Sequence, residues 1–172
     1  DLGPFEVVYE NGQLKTKGNY KIGKRDGPWE WFHENGQPKK IVNYKDGERE
    51  GLWKTYYYTN NNNPFVLHGP IKIRENYKDG KRNGSWERFY TNGKLFQKGN
   101  IKNGKEHGLW ERFNGNGQLK SKGNHQNGKR ADLWERFHDN GQVERRVSYK
   151  NGNGDGLYDE YTENVQFEQS RN

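Results

Sequence analysis

A unit of 24 residues recurs from one end of the chain to the other, and this period constrains the fold more than any other feature. It is plainest where "NGKEHGLWERFNGNGQ" at Asn103–Gln118 returns as "NGKRADLWERFHDNGQ" at Asn127–Gln142. Units begin at Asn11, Asn35, His68, Asn92, Asn116 and Asn140. Four of the five spacings are 24 residues; the fifth, Asn35 to His68, holds an insertion at 60–67, "NNNNPFVL". Eighteen residues into each unit stands Trp29, Trp53, Trp86, Trp110, Trp134 or Tyr158. Three residues further on stands Phe32, Tyr56, Phe89, Phe113, Phe137 or Tyr161. The opening "GPFEVVYE", 3–10, reads as half a unit, and "NVQFEQ" near the end resembles the start of another. A period of this kind means a repeat array in which each unit leans on its neighbours, so 1–172 is read as one domain.

Each unit carries two turn signals, of the type Asn35-Gly36 and Asp46-Gly47. Such pairs accept the positive φ of tight hairpin turns, and strand-sized intervals separate them. The spacing predicts an all-β fold: an elongated, single-layer antiparallel meander of about thirteen or fourteen strands. If both turns have two residues, cross-strand neighbours follow. One face should carry the Trp column, the column Tyr20, Tyr44, Tyr77, Ile101, His125, Tyr149, and the column Leu14, Pro38, Ile71, Leu95, Leu119, Val143. Arg88, Arg112 and Arg136 fall on that face two residues after a Trp, within reach of cation–π contact. The other face should carry the Phe/Tyr column and Glu30, Glu87, Glu111 and Glu135. Opposite those glutamates stand Lys15, Lys39, Lys72 and Lys120, with Lys17, Lys98 and Lys122 beside them. A bulge at Gly27, Gly51, Gly84, Gly108 or Gly156 would flip the Trp column relative to the preceding strand.

Hydrophobic residues are only 27% of the chain and charged ones 31%, a balance that leans toward disorder. Aromatics at 15%, kept in register, oppose that reading. Rings packed on rings and over glycines such as Gly99 and Gly123 can hold a sheet without a second layer. There is no Cys, hence no disulfide or thiolate chemistry, and no apolar run long enough for a membrane span. There is no Met either, so the chain is read as starting downstream of an initiator. The formal charge is +7, with −2 on residues 140–172 and +9 on the rest.

"GNYKIGKRDGPWEWFHENG" (Gly18–Gly36) and "GNIKNGKEHGLWERFNGNG" (Gly99–Gly117) resemble the MORN repeat, in the 24-residue form of bacterial proteins termed YwqK-type antitoxins. The likeness runs over almost the whole chain. It departs at Ala131-Asp132, where other units have a residue and Gly, at Tyr158, and at the insertion. The resemblance implies protein scaffolding, binding of anionic phospholipid, or an immunity role against a toxin. It also implies a bacterial source, in cytoplasm or envelope.

Catalysis is not expected. The five histidines fall at different unit positions and make no metal-ligand pair, and the carboxylates recur on a ladder. The Gly-rich turns precede strands, so they are not phosphate loops, and no cofactor is expected. The candidate binding residues are Trp29, Trp53, Trp86, Trp110 and Trp134 with Arg88, Arg112 and Arg136, since Trp and Arg anchor interfaces. The alternative is that the rings only hold the sheet together. Phe65, Val66 and Leu67 in the insertion are a second candidate, because loops on rigid scaffolds carry function. The expected partner is a protein, with a toxin as one case. The rivals are an anionic lipid surface, a cell-wall glycan, or a purely structural spacer. Interleaved Lys and Glu argue against nucleic acid. The chain is expected to be a monomer.

Overall fold

The computed structural model describes residues 3–59 and 69–161, without the side chains of residues 156–158. Phe65, Val66, Leu67, the unit start at His68 and the "NVQFEQ" segment lie outside the described residues. Thirteen strands are described, joined in sequence order into one antiparallel sheet. They are β1 (Gly3–Val8), β2 (Leu14–Lys21), β3 (Lys24–Phe32), β4 (Pro38–Lys45), β5 (Glu48–Tyr56) and β6 (Ile71–Lys78). Then follow β7 (Lys81–Phe89), β8 (Leu95–Lys102), β9 (Lys105–Phe113), β10 (Leu119–Gln126), β11 (Lys129–Phe137), β12 (Val143–Lys150) and β13 (Asn153–Glu160). At about 4.8 Å per strand the sheet runs about 60 Å.

The two turns of a unit differ. Asp46-Gly47 and its equivalents are two-residue turns with positive φ at both positions, 51° and 89° here, matching the strand twist. The other turn has three residues: Tyr9 N–H donates to Gln13 O at 2.8 Å, and Gly12 N–H to Tyr9 O at 2.9 Å. The Asn11 side chain secures it, its Oδ1 accepting from Gln13 N–H at 2.9 Å. The loop shifts the register by one, and a one-residue bulge on the next strand restores it. Val8 pairs with Leu14, and then Val7 pairs with Thr16.

That pair of shifts corrects one expectation. The Leu14 column lies not with the Trp column but opposite the Phe/Tyr column: Phe32 faces Pro38, Tyr56 faces Ile71, and Phe89 faces Leu95. Directly opposed residues share a face. The bulge takes up the position of Lys15, Lys39, Lys72, Phe96, Lys120 and Glu144, so those lysines are not the ladder partners of the glutamates. The glycine bulge, in contrast, leaves the faces unflipped. Lys17 pairs with Glu30 and Asn19 with Asp26, so Gly27, Pro28 and Trp29 together oppose Gly18. Two extra residues preserve alternation, and Gly27 absorbs the bend at φ 72°.

Burial concentrates on the Trp face. Trp29 is 1% exposed and Trp110 3%, with Val42, Tyr77 and Ile101 also buried. Three of the indoles lie flat where a facing residue has no side chain: a Cβ at Gly18, Gly99 or Gly123 would sit inside the ring of Trp29, Trp110 or Trp134. A fully buried Trp hides about 200 Å², worth roughly 5 kcal/mol before entropy is counted. Hairpins are also stitched at both long margins of the sheet. Tyr9 Oη donates to Phe32 O at 2.8 Å and Tyr90 Oη to Phe113 O at 2.9 Å. At the other margin Gly47 N–H donates to Arg25 O at 2.9 Å and Gly104 N–H to Arg82 O at 2.8 Å.

Candidate binding face

On the Trp face the rings form clusters that span several strands. Tyr20 meets Trp29 edge-on at 5.0 Å, Trp86 meets Trp110 at 5.3 Å, and His125 stands edge-on between Trp110 and Trp134 at 5.7 and 5.0 Å. The cations that cap the indoles are Arg25 on Trp29 at 4.4 Å, Arg49 on Trp53 at 4.4 Å and Arg130 on Trp134 at 4.5 Å. Each precedes its Trp by four residues and stands directly across from Tyr20, Tyr44 or His125. The wide glycine bulge shortens the path between them, so the guanidinium folds back over the ring. These capping arginines were missed as site residues; their signal is the recurrence of Arg two residues before the bulge position.

Arg88, Arg112 and Arg136 do share the Trp face, but the rings beneath them differ from expectation. Arg88 and Arg112 lie over Phe96 at 5.2 and 4.7 Å, because the bulge brings that ring under the Arg row. Arg136 instead pairs with the bulge residue Glu144, Nε to Oε2 at 2.7 Å. In the centre of the array Glu75 takes the glycine position opposite Trp86 and is 4% exposed. It accepts a hydrogen bond from Tyr77 Oη at 3.1 Å and pairs with Arg82 at 3.1 Å.

The two faces treat charge differently. On the Phe face, Glu87, Lys98, Glu111, Lys122, Glu135, Arg146 and Asp159 stand side by side on successive strands, alternating in sign at every step. Lys98 reaches Glu111 at 2.9 Å, Lys122 reaches Glu135 at 3.2 Å, and Arg146 reaches Glu135 at 3.0 Å. Burial raises the Glu135 pKa, but hydrogen bonds from Arg146 and Lys122 outweigh it and hold the carboxyl below its usual range. The cations also ride the rings of this face, Lys98 over Phe113 at 5.7 Å and Lys122 over Phe137 at 5.6 Å. The corresponding row on the Trp face reads Arg88, Gln97, Arg112, Ser121, Arg136, Arg145, Glu160, with no alternation before its last step. Cations crowd the other end too. Burial lowers the Lys40 pKa, and Lys39, Arg49 and Arg25 lower it further.

Two concavities share Arg112, Ser121, Arg130 and Trp134 on this face, of about 150 and 220 Å³. Beside the insertion, Tyr58 is exposed and stands edge-on to His33 at 4.9 Å, and Tyr57 Oη donates to Phe89 O at 2.8 Å. Among the described residues no three His, Cys, Asp or Glu side chains gather in a way that would hold a metal ion, and no helix is long and apolar enough to cross a membrane.

A family model described as a MORN repeat variant matches residues 2–21, 25–46, 82–103, 106–127 and 133–151, more than half of the chain. The stretch between the second and third matches contains the insertion. No curated protein matches the sequence.

Proposed function

This chain belongs to the MORN repeat variant family, whose repeats are often associated with binding or scaffolding, and on that premise we propose that it is a non-enzymatic binder of a protein partner. The observation that carries this reading is the difference between the faces. From β7 to β13 the Phe face alternates acid and cation strand by strand, Lys54 opposite Arg74 being an exception before that stretch. On the Trp face, in contrast, Arg25, Arg49, Arg112 and Arg130 are seated on aromatic rings and, among the described residues, none of these four pairs with an acid. Such side chains are held in place before a partner arrives, which lowers the ordering cost of association. Arg on aromatic support is also the chemistry of interface hot spots. The insertion at 60–67, with Phe65, Val66 and Leu67, supplies the one large irregularity of the array and with it a contact that other repeats cannot make.

The finer reading is that the partner is a toxin and the chain its immunity protein, in a bacterial cell. It is supported by the resemblance to YwqK-type antitoxins alone. The experiment is a pull-down from the source cell with the intact chain, a Trp-face variant (Arg49→Glu with Arg112→Glu) and a variant lacking 60–67. Phosphatidylserine vesicles and cell-wall glycan run beside it. Capture of one protein by the intact chain, lost in the Trp-face variant, supports the reading. Retention of vesicles or glycan with no protein replaces it with an envelope role. Equal capture by the shortened chain removes the insertion from the binding surface.

A further inference from the structure

We propose that Arg112, Arg136 and Arg145, set in one row across β9 to β12 with Ser121 between the first two, form an oxyanion site whose occupant is a carboxylate-bearing segment of the partner protein. The proposal rests on the Trp face being the binding surface and deepens that reading.

Register brings the groups together. Arg112 on β9 faces Ser121 on β10, Ser121 faces Arg136 on β11, and Arg136 faces Arg145 on β12. They line a concavity of about 150 Å³ whose wall is Trp134, Val147 and Tyr149. One residue along, the same four strands carry Glu111, Lys122, Glu135 and Arg146, opposite in sign at each step. The chain therefore neutralises one face of these strands and leaves two arginines directly opposed on the other. Like charges directly opposed destabilise a sheet unless an anion lies between them.

The available counter-charges do not fill the site. Glu144 lies 2.7 Å from Nε of Arg136 as an ion pair, yet that nitrogen makes no hydrogen bond, so the guanidinium is not saturated by it. Glu135, also at the concavity, is taken by Lys122 and Arg146. Glu160 stands opposite Arg145 in the ladder, yet among the described residues neither Arg145 nor Arg112 has a carboxylate partner. Arg112 is oriented instead by Phe96, at 4.7 Å. Arg130 closes one end, stacked on Trp134 and donating to Tyr149 Oη at 2.9 Å.

Guanidinium forks match carboxylates two bonds at a time, and an apolar wall reduces competition from water. From Arg112 to Arg145 the row crosses three strand intervals, about 14 Å, the reach of about four extended residues. One short acidic segment laid across the strands therefore meets all three cations, and its aliphatic stems lie against Val147 and Trp134.

The test uses the full chain and a decapeptide with Glu at alternate positions, titrated by the fluorescence of its tryptophans. The Gln counterpart, inorganic phosphate and phosphatidylserine vesicles serve as comparison probes. The expected result is binding of the Glu peptide and not the Gln peptide. Arg112→Gln with Arg145→Gln should weaken it about tenfold or more and flatten its salt dependence, with Lys98→Gln and Lys122→Gln on the other face leaving it unchanged. Arg112→Lys with Arg145→Lys keeps charge and fold but loses the fork, and should fall between. Circular dichroism confirms that each variant is folded. No binding of the Glu peptide, equal loss in the Lys variants, or no loss in the Gln variants would overturn the proposal. Binding of phosphate or vesicles in place of the peptide would overturn it in favour of a phosphate occupant. A protein captured from the cell with undiminished strength by the Arg112→Gln, Arg145→Gln variant would overturn this site and leave the binding function standing.

Discussion

Trp110 and Arg112 lie two residues apart on one face and contribute in different ways. The indole is buried on bare backbone at Gly99 and touches rings of two neighbouring hairpins, whereas the guanidinium is exposed over Phe96. Trp110→Ala should cost about 3–5 kcal/mol and Arg112→Ala less than about 1, read as the shift of the denaturant midpoint. The reverse ranking would mean that the rings do not hold the sheet. Gly99→Ala tests the same contact from the other side. The new Cβ enters the Trp110 ring, and since the obstacle is a rigid indole, about 1–3 kcal/mol is lost. His125 adds a pH dependence. Burial between two indoles lowers its pKa, Glu106 at 3.3 Å opposes that shift, and Arg130 reinforces it. With the folded value below the unfolded value of about 6.5, the unfolded chain binds more protons in between. This contribution is therefore complete above the mid-6 range and falls as the pH drops through it. His125→Tyr restores the ring used elsewhere in the column. It should flatten melting temperature against pH between about 7 and 5; an unchanged slope would place the titration elsewhere, for instance at His33, whose pKa burial and Lys39 also lower.

At the scale of the element, the turns and bulges decide which face a residue reaches. Asp132 occupies the glycine bulge position of its unit at φ 59°, and Ile22 occupies the first position of a two-residue turn at φ 49°. Side chains with a Cβ resist this region, β-branched ones most. Asp132→Gly and Ile22→Asn should therefore each stabilise by roughly 0.5–1 kcal/mol, and Gly108→Ala, at φ 72°, should destabilise by about 1. Midpoints that fail to move in opposite directions for Asp132→Gly and Gly108→Ala would show that the left-handed backbone is not what these positions select. The same devices explain what could be read from the chain beforehand. The 24-residue period and the Asn-Gly and Asp-Gly pairs specify the strand order, because hairpin turns announce themselves by positive-φ residues. The Trp and Tyr columns fall on one face as expected, since the glycine bulge inserts an even number of residues. The Leu14 column was misplaced because a three-residue loop and a compensating one-residue bulge cancel one position later, and nothing in the period reveals them. The indole caps escaped for a related reason. Arg25, Arg49 and Arg130 come within reach of their Trp only once the bulge has folded the strand back, whereas spacing along a regular strand points to Arg88, Arg112 and Arg136.

At the scale of the whole sheet, each described strand pairs only with its neighbours in sequence, so among the described residues the sheet ends at β1 and β13, and the chemistry of those two strands bears on whether copies join. The first end is β1, a strand of six residues with Pro4 near its start, a residue that offers no N–H to an incoming chain. The other is β13, which carries Asp155, Asp159 and Glu160. A second β13 laid antiparallel against it would oppose acid to acid, and β1 adds Glu6 rather than a cation. We expect an elongated monomer. A slab about 60 Å by 28 Å, one sheet thick, has a radius of gyration near 19 Å, against about 16 Å for a compact domain of this length. Small-angle scattering should give the larger value, and light scattering should give one chain's mass at every concentration. A radius near 16 Å would mean that the sheet closes on itself. A mass that grows with concentration would mean that the ends pair. If the acidic edge is what prevents pairing, Asp159→Val with Glu160→Val should make the mass rise with concentration while the circular dichroism of the sheet is kept. A variant that stays monomeric would assign the protection to the short, proline-bearing β1 instead.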